Sequence, residues 1–274
     1  MPLTDELAAA GVRRGTPLAI AVAGGTGLAL AWPQGVRTVP TVAPDAVVAQ
    51  VATLDPRWTW WAARETAAPL VAAGVRPRTC WDVGAVGRLV HGLRRDDAGA
   101  VWAASLGLPE PPEPVGPPDL LELDGEDGEP VRPDGRLSAD WLRGRWAQDL
   151  SSAARWAQLV LDVRLRQETV LRGLSDPRGA SGGPPLALLT ALAESAAALL
   201  AVELAHDGLP VDRRVAADLL LSWVGQRPRD VAEERFRRTA RDAEVLRHFP
   251  GPPTDLRNAS HVREMLARVG LDVP

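Results

Sequence analysis

The sequence predicts an α/β fold for its first part and an all-helical fold for its last third. Two short apolar runs, residues 18–23 and 28–32, flank the glycine-rich segment 24–27 and are typical of a β-hairpin, because glycine adopts the positive φ values of a tight turn. Residues 57–61 form another strand candidate, and helical patterns follow them. Strands interleaved with helices indicate a layered α/β architecture.

The helices of the first part are predicted from apolar spacing and from end signals. We expect a helix over residues 66–73 that Gly74 ends, and an amphipathic helix over residues 81–93. A long helix is predicted over residues 153–174. Four helices are predicted in the last third: 186–206, 211–224, 230–248 with a capping box at its start, and a short helix from Asn258 to Arg268.

Two segments without helical or strand patterns divide the chain. Residues 109–134 form a Pro-rich insertion with the carboxylates Glu122, Asp124, Glu126, Asp127 and Glu129. Their spacing does not match a calcium loop, so we expect a solvated loop. The Gly- and Pro-rich residues 176–186 are predicted to be a linker between a domain over residues 1–175 and a second over 187–274.

Charge and composition limit the function classes. The chain has 274 residues and a net charge of −4, whereas a domain that binds duplex DNA tightly by itself is usually basic, so any DNA contact is expected at a local patch. The single cysteine, Cys80, excludes an internal disulfide. The apolar run Pro17–Trp32 is too short to span a bilayer and resembles no signal peptide, so we expect a cytoplasmic protein without membrane association.

Three familiar site types are disfavoured by the pattern around their residues. A phosphate cradle at residues 24–27 needs a helix directly after the glycines, and an apolar strand pattern follows instead. Trp58, Trp60 and Trp61 could stack on bases, but their apolar strand favours core packing. The histidines lack the spacing of zinc ligands or of a catalytic triad: His91, His206, His248 and His261.

The last third carries two motifs in order. Residues 194–212 contain a glutamate-bearing helix that leads to Gly208 and Asp212 in a Gly-x-x-x-Asp turn. Residues 255–274 contain an Asn-initiated helix followed by a Val-Gly-Leu turn. Together they resemble the opening of the polymerase domain and the thumb signature of bacterial family A DNA polymerases. The resemblance, which covers almost the whole chain, is to bifunctional 3′–5′ exonuclease/DNA polymerases.

The resemblance implies a ribonuclease H-like, exonuclease-type mixed sheet flanked by helices, followed by thumb helices. Palm and fingers motifs are not in this sequence, so the chain by itself is not expected to polymerise DNA. Proofreading exonucleases of this fold hold two divalent cations with four carboxylates. The family's Asp-x-Glu strand matches residues 18–23, which contain no carboxylate.

The other exonuclease motifs are also altered. Thr66 occupies the second motif position, with Glu65 beside it, and Trp156 and Val160 match the Tyr and the last Asp of the third motif. At least three of the four carboxylates are therefore missing, and we expect neither catalytic nor metal-binding residues. We predict that Asp82 is a helix N-cap and that Asp162 faces solvent.

The resemblance further implies DNA contacts at the start of the last helix. Free backbone N–H groups there, with Arg257, Asn258, Ser260 and His261, are expected to take a primer–template phosphate. Ala259 and Ser260 replace the family's usual Pro and basic residue, so this contact is expected to be weak.

Three functions follow as expectations. The leading one is a catalytically inactive exonuclease-like scaffold joined to part of a thumb, acting in DNA replication or repair, with no cofactor. Its partners would be primer–template DNA and the remainder of a polymerase, if one is encoded downstream. The second is an active 3′–5′ exonuclease that uses Mg²⁺ or Mn²⁺ with Glu65, Asp82 and Asp162. The third is a protein-interaction module without a DNA role.

Overall fold

The computed structural model divides the chain into two compact units, Met1–Leu209 and Pro210–Pro274. The described residues are 1–112, 128–179, 183–249, 251–252 and 254–271. Most of the predicted acidic insertion lies outside the described residues, including Glu122, Asp124, Glu126 and Asp127. The middle of the predicted linker, residues 180–182, and the last part of the predicted thumb turn, residues 272–274, also lie outside them.

One mixed sheet forms the centre of the first unit, and its described strands have the order β3-β2-β1-β4-β5. They are β1 (Pro17–Ala23), β2 (Gly27–Trp32), β3 (Gly35–Pro40), β4 (Arg57–Trp60) and β5 (Cys80–Asp82). The first three pair antiparallel as a meander, whereas β4 pairs parallel with β1 and β5 pairs parallel with β4. This sheet with its flanking helices confirms the α/β prediction.

The predicted glycine-rich hairpin is confirmed. Ala23 pairs with Gly27, and Gly25 has a φ of 81°. Gly27 is required sterically as well, because a Cβ there would lie 2.2 Å from the carbonyl oxygen of Val39 in β3. Strand β2 follows these glycines directly, so they form a turn and not the phosphate cradle that precedes a helix.

Helices cover the sheet in the first unit and make up the regular structure described in the second. In the first unit they are α1 (Leu3–Ala9), α2 (Pro44–Val51), α3 (Ala63–Ala72), α4 (Val83–His91), α5 (Ala98–Ser105), α6 (Ala139–Leu142), α7 (Leu150–Gly173) and α8 (Leu186–Asp207). In the second unit they are α9 (Arg213–Val224), α10 (Val231–Leu246) and α11 (Ala259–Arg268). The sequence analysis did not predict β3, α1, α2, α5 or α6.

Two of the helix starts that differ from the predicted ones, those of α3 and α4, are set by tertiary contacts. α3 begins earlier than residue 66, at Ala63, whose N–H donates to Oδ2 of Asp82 at 2.6 Å. The helix predicted over residues 81–93 begins at Val83, because Trp81 and Asp82 pair with β4 as part of β5. The spacing of apolar residues along the chain indicates neither of these contacts.

Strand β1 separates two apolar cores. Ala19, Ala21 and Ala23 belong to the core with α4, α5 and α7, whereas Leu18 and Ile20 belong to the core with α1, α2 and α3. Successive side chains of a strand point to opposite faces, so this alternation requires cover on both sides of the sheet. The sheet is therefore the middle layer of three.

Helix α8 belongs to the first unit. Its buried residues lie on one stripe: Leu188, Ala191, Ser195, Leu199 and Val202. The hydroxyl of Ser195 accepts the backbone N–H of Asp82 at 3.0 Å, and the carbonyl of Ser195 accepts the thiol of Cys80 at 3.2 Å. The first unit therefore continues to Leu209, past the linker predicted at residues 176–186, because α8 completes its core.

Helix α8 is also long and apolar enough, by length and composition alone, to cross a membrane. Its best window has a mean hydropathy of 1.7, and 22% of that window is buried. Among the described residues it is the one helix with this property, and the sequence analysis, which considered Pro17–Trp32, missed it. One stripe of α8 contacts the first unit, and most of its remaining surface is exposed.

A buried glutamine provides a test of this fold. Gln167 on α7 accepts the indole N–H of Trp81 at 2.9 Å and donates to the carbonyl of Val83 at 2.8 Å. Because Gln167→Leu leaves the indole N–H of Trp81 buried without a partner and removes the hydrogen bond to Val83, we expect the free energy of unfolding to fall by about 2–4 kcal/mol. Urea denaturation measures this change.

The matched control is Gln158→Leu, the same substitution at an exposed position of the same helix. Its effect is expected to stay within about 0.5 kcal/mol. Equal effects of the two substitutions would contradict the assigned packing of α7 on β5 and α4.

Candidate functional site

The face of the sheet on which the predicted exonuclease motif positions lie carries a cluster of tryptophans. The ring of Trp156 on α7 lies 5.1 Å from that of Trp61 and 6.2 Å from that of Trp141, centroid to centroid. Trp146 stacks on it at 5.7 Å with an interplanar angle of 9°. Trp61, Trp141 and Trp156 are buried, so these rings fill space instead of forming an exposed surface for bases.

The motif positions of β1 and α7 lie in the same apolar core as this cluster. Ala19, Ala21 and Ala23 are at most 2% exposed, and Val160 is fully buried. An Asp-x-Glu pair on this face of β1 would therefore point towards α7, because residues i and i+2 share a face. The side chains present are methyl and isopropyl groups that offer no oxygen ligand. These residues do not fit a pair of divalent cations.

The three carboxylates of the alternative exonuclease set differ in environment. Glu65, in the first turn of α3, is exposed and lies 3.7 Å from Arg64. Asp162 is exposed on α7, as predicted. Asp82 is 3% exposed. In the described part of the chain, no three His, Cys, Asp or Glu side chains lie together as metal ligands would. The structure therefore does not bring this set together.

Asp82 connects two helix starts. Its Oδ1 accepts the N–H of Ala85 at 2.8 Å, which confirms the predicted N-cap of α4, and its Oδ2 accepts the N–H of Ala63 at the start of α3. Burial raises the pKa of Asp82, although the two backbone N–H groups oppose that shift. This carboxylate therefore has both oxygens committed to the backbone, which is a structural role.

A cleft of about 630 Å³ lies beside Asp82, at the carboxyl ends of β4 and β5. Arg64 donates two hydrogen bonds to Asp96, at 3.0 and 2.9 Å, and Arg88 approaches the same carboxylate at 3.8 Å. Burial tends to raise the pKa of Asp96, but the hydrogen bond and charge of Arg64, with the charge of Arg88, lower it overall. Alanines of α3, α4 and α8 line much of the remaining surface of the cleft.

The predicted DNA-contact residues lie together at the start of α11 in the second unit. Asn258 caps this helix, because its Oδ1 accepts the N–H groups of Ser260 at 3.0 Å and His261 at 3.3 Å. Arg257 donates to both carboxylate oxygens of Asp242, at 2.9 and 2.7 Å, and this hydrogen bond raises the pKa of Arg257. A phosphate would therefore compete with Asn258 and Asp242.

The sequence analysis missed the polar residues that connect the core. Gln167 and Ser195 are 1% and 0% exposed, and Arg164 lies 4.9 Å from the ring centroid of Trp81 while it pairs with Glu168 at 2.8 Å. Burial raises the pKa of Cys80 to about 12, so its thiol remains a protonated donor to Ser195. Each residue is ordinary in a helix or strand, and no local pattern distinguishes it.

No protein-family model matches the chain, and no curated protein matches it.

The double role of Asp82 can be tested by truncation. Asp82→Ala removes the cap of α4 and leaves the N–H of Ala63 buried without an acceptor. We expect the free energy of unfolding to fall by about 2–4 kcal/mol, the sum of a lost cap and an unsatisfied buried donor. Chemical denaturation monitored by tryptophan fluorescence measures it.

Asp149→Ala is the control, because Asp149 caps α7 from an exposed position. Its loss is expected to cost about 1 kcal/mol. If Asp82→Ala costs no more than Asp149→Ala, the second contact of Asp82 contributes nothing to stability.

Proposed function

We propose that the first unit is a ribonuclease H-like, exonuclease-type domain that does not hydrolyse DNA. On this proposal it is a scaffold at the front of a family A DNA polymerase acting in replication or repair. The sheet order and the meander followed by two parallel strands are compatible with that architecture. The motifs of the last third support the polymerase family, and we infer that they begin its thumb.

One observation carries the proposal of inactivity: Ala21, Trp156 and Val160, which the resemblance matches to exonuclease motifs, are buried in one apolar core. Two-metal hydrolysis needs several anionic oxygens around the scissile phosphate. A carboxylate introduced into this core would need paired cations or hydrogen bonds to offset its desolvation. On this proposal the motif positions are also part of the packed core. A single substitution would therefore not restore metal-dependent hydrolysis.

Retention of the domain follows from the same packing. The faces of β1 and β2 that carry Ala19, Ala21, Ala29 and Ala31 belong to one core with α7. Loss of a metal site leaves that apolar burial intact, so a fold can persist after its catalysis is lost. The domain then serves to support what is attached to it.

The exposed apolar residues of the second unit support the thumb proposal. Trp223 on α9 and Phe236 on α10 are 81% and 75% exposed, and neither helix buries a residue. Surfaces that contact other polypeptides typically expose many large apolar side chains. The remainder of a polymerase would provide such cover, and weak primer–template contact through α11 completes the proposal.

The nuclease test uses single-stranded DNA labelled at its 5′ end, with Mg²⁺ or Mn²⁺. We expect no 3′–5′ degradation above the metal-free background. Glu65→Ala and Asp162→Ala are tested beside the unaltered protein to separate its own activity from a contaminant. Degradation that Glu65→Ala or Asp162→Ala abolishes would establish the active-exonuclease alternative and remove the scaffold proposal.

DNA contact by α11 has a separate test. Arg257→Ala is expected to weaken binding to primer–template DNA roughly three- to tenfold and to lower the salt slope by about one, as loss of one phosphate contact does. Asp242→Asn removes the closer of the two carboxylates that pair with Arg257, the other being Asp255 at 3.3 Å, and is expected to strengthen binding. Fluorescence anisotropy at several salt concentrations measures both. If neither substitution changes binding, Arg257 only pairs α10 with α11, and a protein-interaction module without a DNA role is favoured.

A further inference from the structure

A groove beside α8 is lined by arginines and leucines. It lies at the end of the sheet where strands β4 and β5 begin. It has a volume of about 460 Å³. One wall contains Arg57 at the start of β4 and Arg78 just before β5. The other wall is one face of α8, with Leu192, Ala196 and Leu200. The groove is thus separate from the cleft beside Asp82, which lies where these strands end.

The charge in this groove is unbalanced. Within the part of the chain that the structure describes, neither Arg57 nor Arg78 forms an ion pair, whereas Arg76 beside them pairs with Asp207 at 2.8 Å. Glu203 on α8 is the one carboxylate among the described residues that line the groove. Two unpaired guanidinium groups against one carboxylate leave a net positive charge in a chain whose net charge is −4.

The apolar wall continues along α8 on both sides of Leu200, which itself lines the groove. Leu189, Leu200 and Leu204 are 37%, 52% and 41% exposed, and their spacing puts them near one line along the helix. A row of exposed leucines fits the apolar face of a second helix. It fits a nucleic-acid strand less well, since there are no aromatic rings in the described lining on which bases could stack.

We propose that this groove docks an acidic amphipathic helix of a partner protein. Leucines or similar residues of the partner would cover the exposed row on α8, and its carboxylates would pair with Arg57 and Arg78. Guanidinium groups bind carboxylates through two parallel hydrogen bonds, so these arginines fix the position of the helix while the apolar contact supplies most of the affinity. This inference is independent of any role in DNA synthesis.

The test uses the full chain and a synthetic helical peptide of about 18 residues, roughly five turns, with leucines on one face and glutamates beside them. The peptide with the same residues in scrambled order is the first control. Anisotropy of the labelled peptide is expected to show binding of the amphipathic peptide and at least about tenfold weaker binding of the scrambled one. No preference between the two peptides would overturn the proposal.

Variants locate the binding. Arg57→Gln/Arg78→Gln and, separately, Leu200→Asp are each expected to weaken binding of the peptide at least about tenfold. Arg14→Gln/Arg132→Gln removes the same charge from exposed positions outside the groove and is expected to leave the affinity within about twofold. Thermal melting of all variants shows that each is folded before its affinity is compared.

Two further probes distinguish other occupants: a single-stranded oligonucleotide of about 18 nucleotides, and vesicles of mixed zwitterionic and anionic phospholipid. We expect binding of neither to depend on both Leu200 and the two arginines. The proposal is wrong if the Arg57→Gln/Arg78→Gln variant binds the peptide as the unaltered protein does. It is also wrong if these substitutions affect only the oligonucleotide or only the vesicles.

Discussion

The packing of α7 on the alanine-bearing face of the sheet is the contact on which the first unit depends. Small side chains on β1 and β2 leave room for the large rings that Trp61, Trp141 and Trp156 place in the same core. Because protein interiors are close-packed, this space cannot also hold hydrated metal ions and a phosphodiester. On the proposal of an exonuclease-like domain, the loss of nuclease chemistry and the stability of the domain would be two consequences of one arrangement.

A few buried polar groups determine how the helices join this core. Asp82 caps α4 and also binds the start of α3, Gln167 links α7 to β5 and α4, and Ser195 links α8 to β5. Each satisfies backbone or indole groups that would otherwise be buried without partners, which is costly. These residues concentrate around β5, a strand of three residues that contacts α3, α4, α7 and α8 through them.

The surfaces that remain open differ in chemistry. The cleft at the carboxyl ends of the strands has its charges paired through Asp96, whereas the groove at the opposite edge retains unpaired arginines beside exposed leucines. The second unit exposes aromatic and aliphatic side chains on α9 and α10. The proposed partners, a second helix and the remainder of a polymerase, would cover the last two of these surfaces.

The sequence by itself determined the α/β class, the hairpin at residues 24–27, the caps at Asp82 and Asn258 and the core positions of Trp58, Trp60 and Trp61. These depend on local spacing, on glycine's backbone freedom and on side chains that bond their own backbone within three residues. Only the tertiary structure decided that α3 begins at Ala63 and that α8 belongs to the first unit. It also paired Arg257 with Asp242 and left Arg57 and Arg78 together in one groove. Such contacts join residues far apart in the chain, and no local pattern encodes their distance.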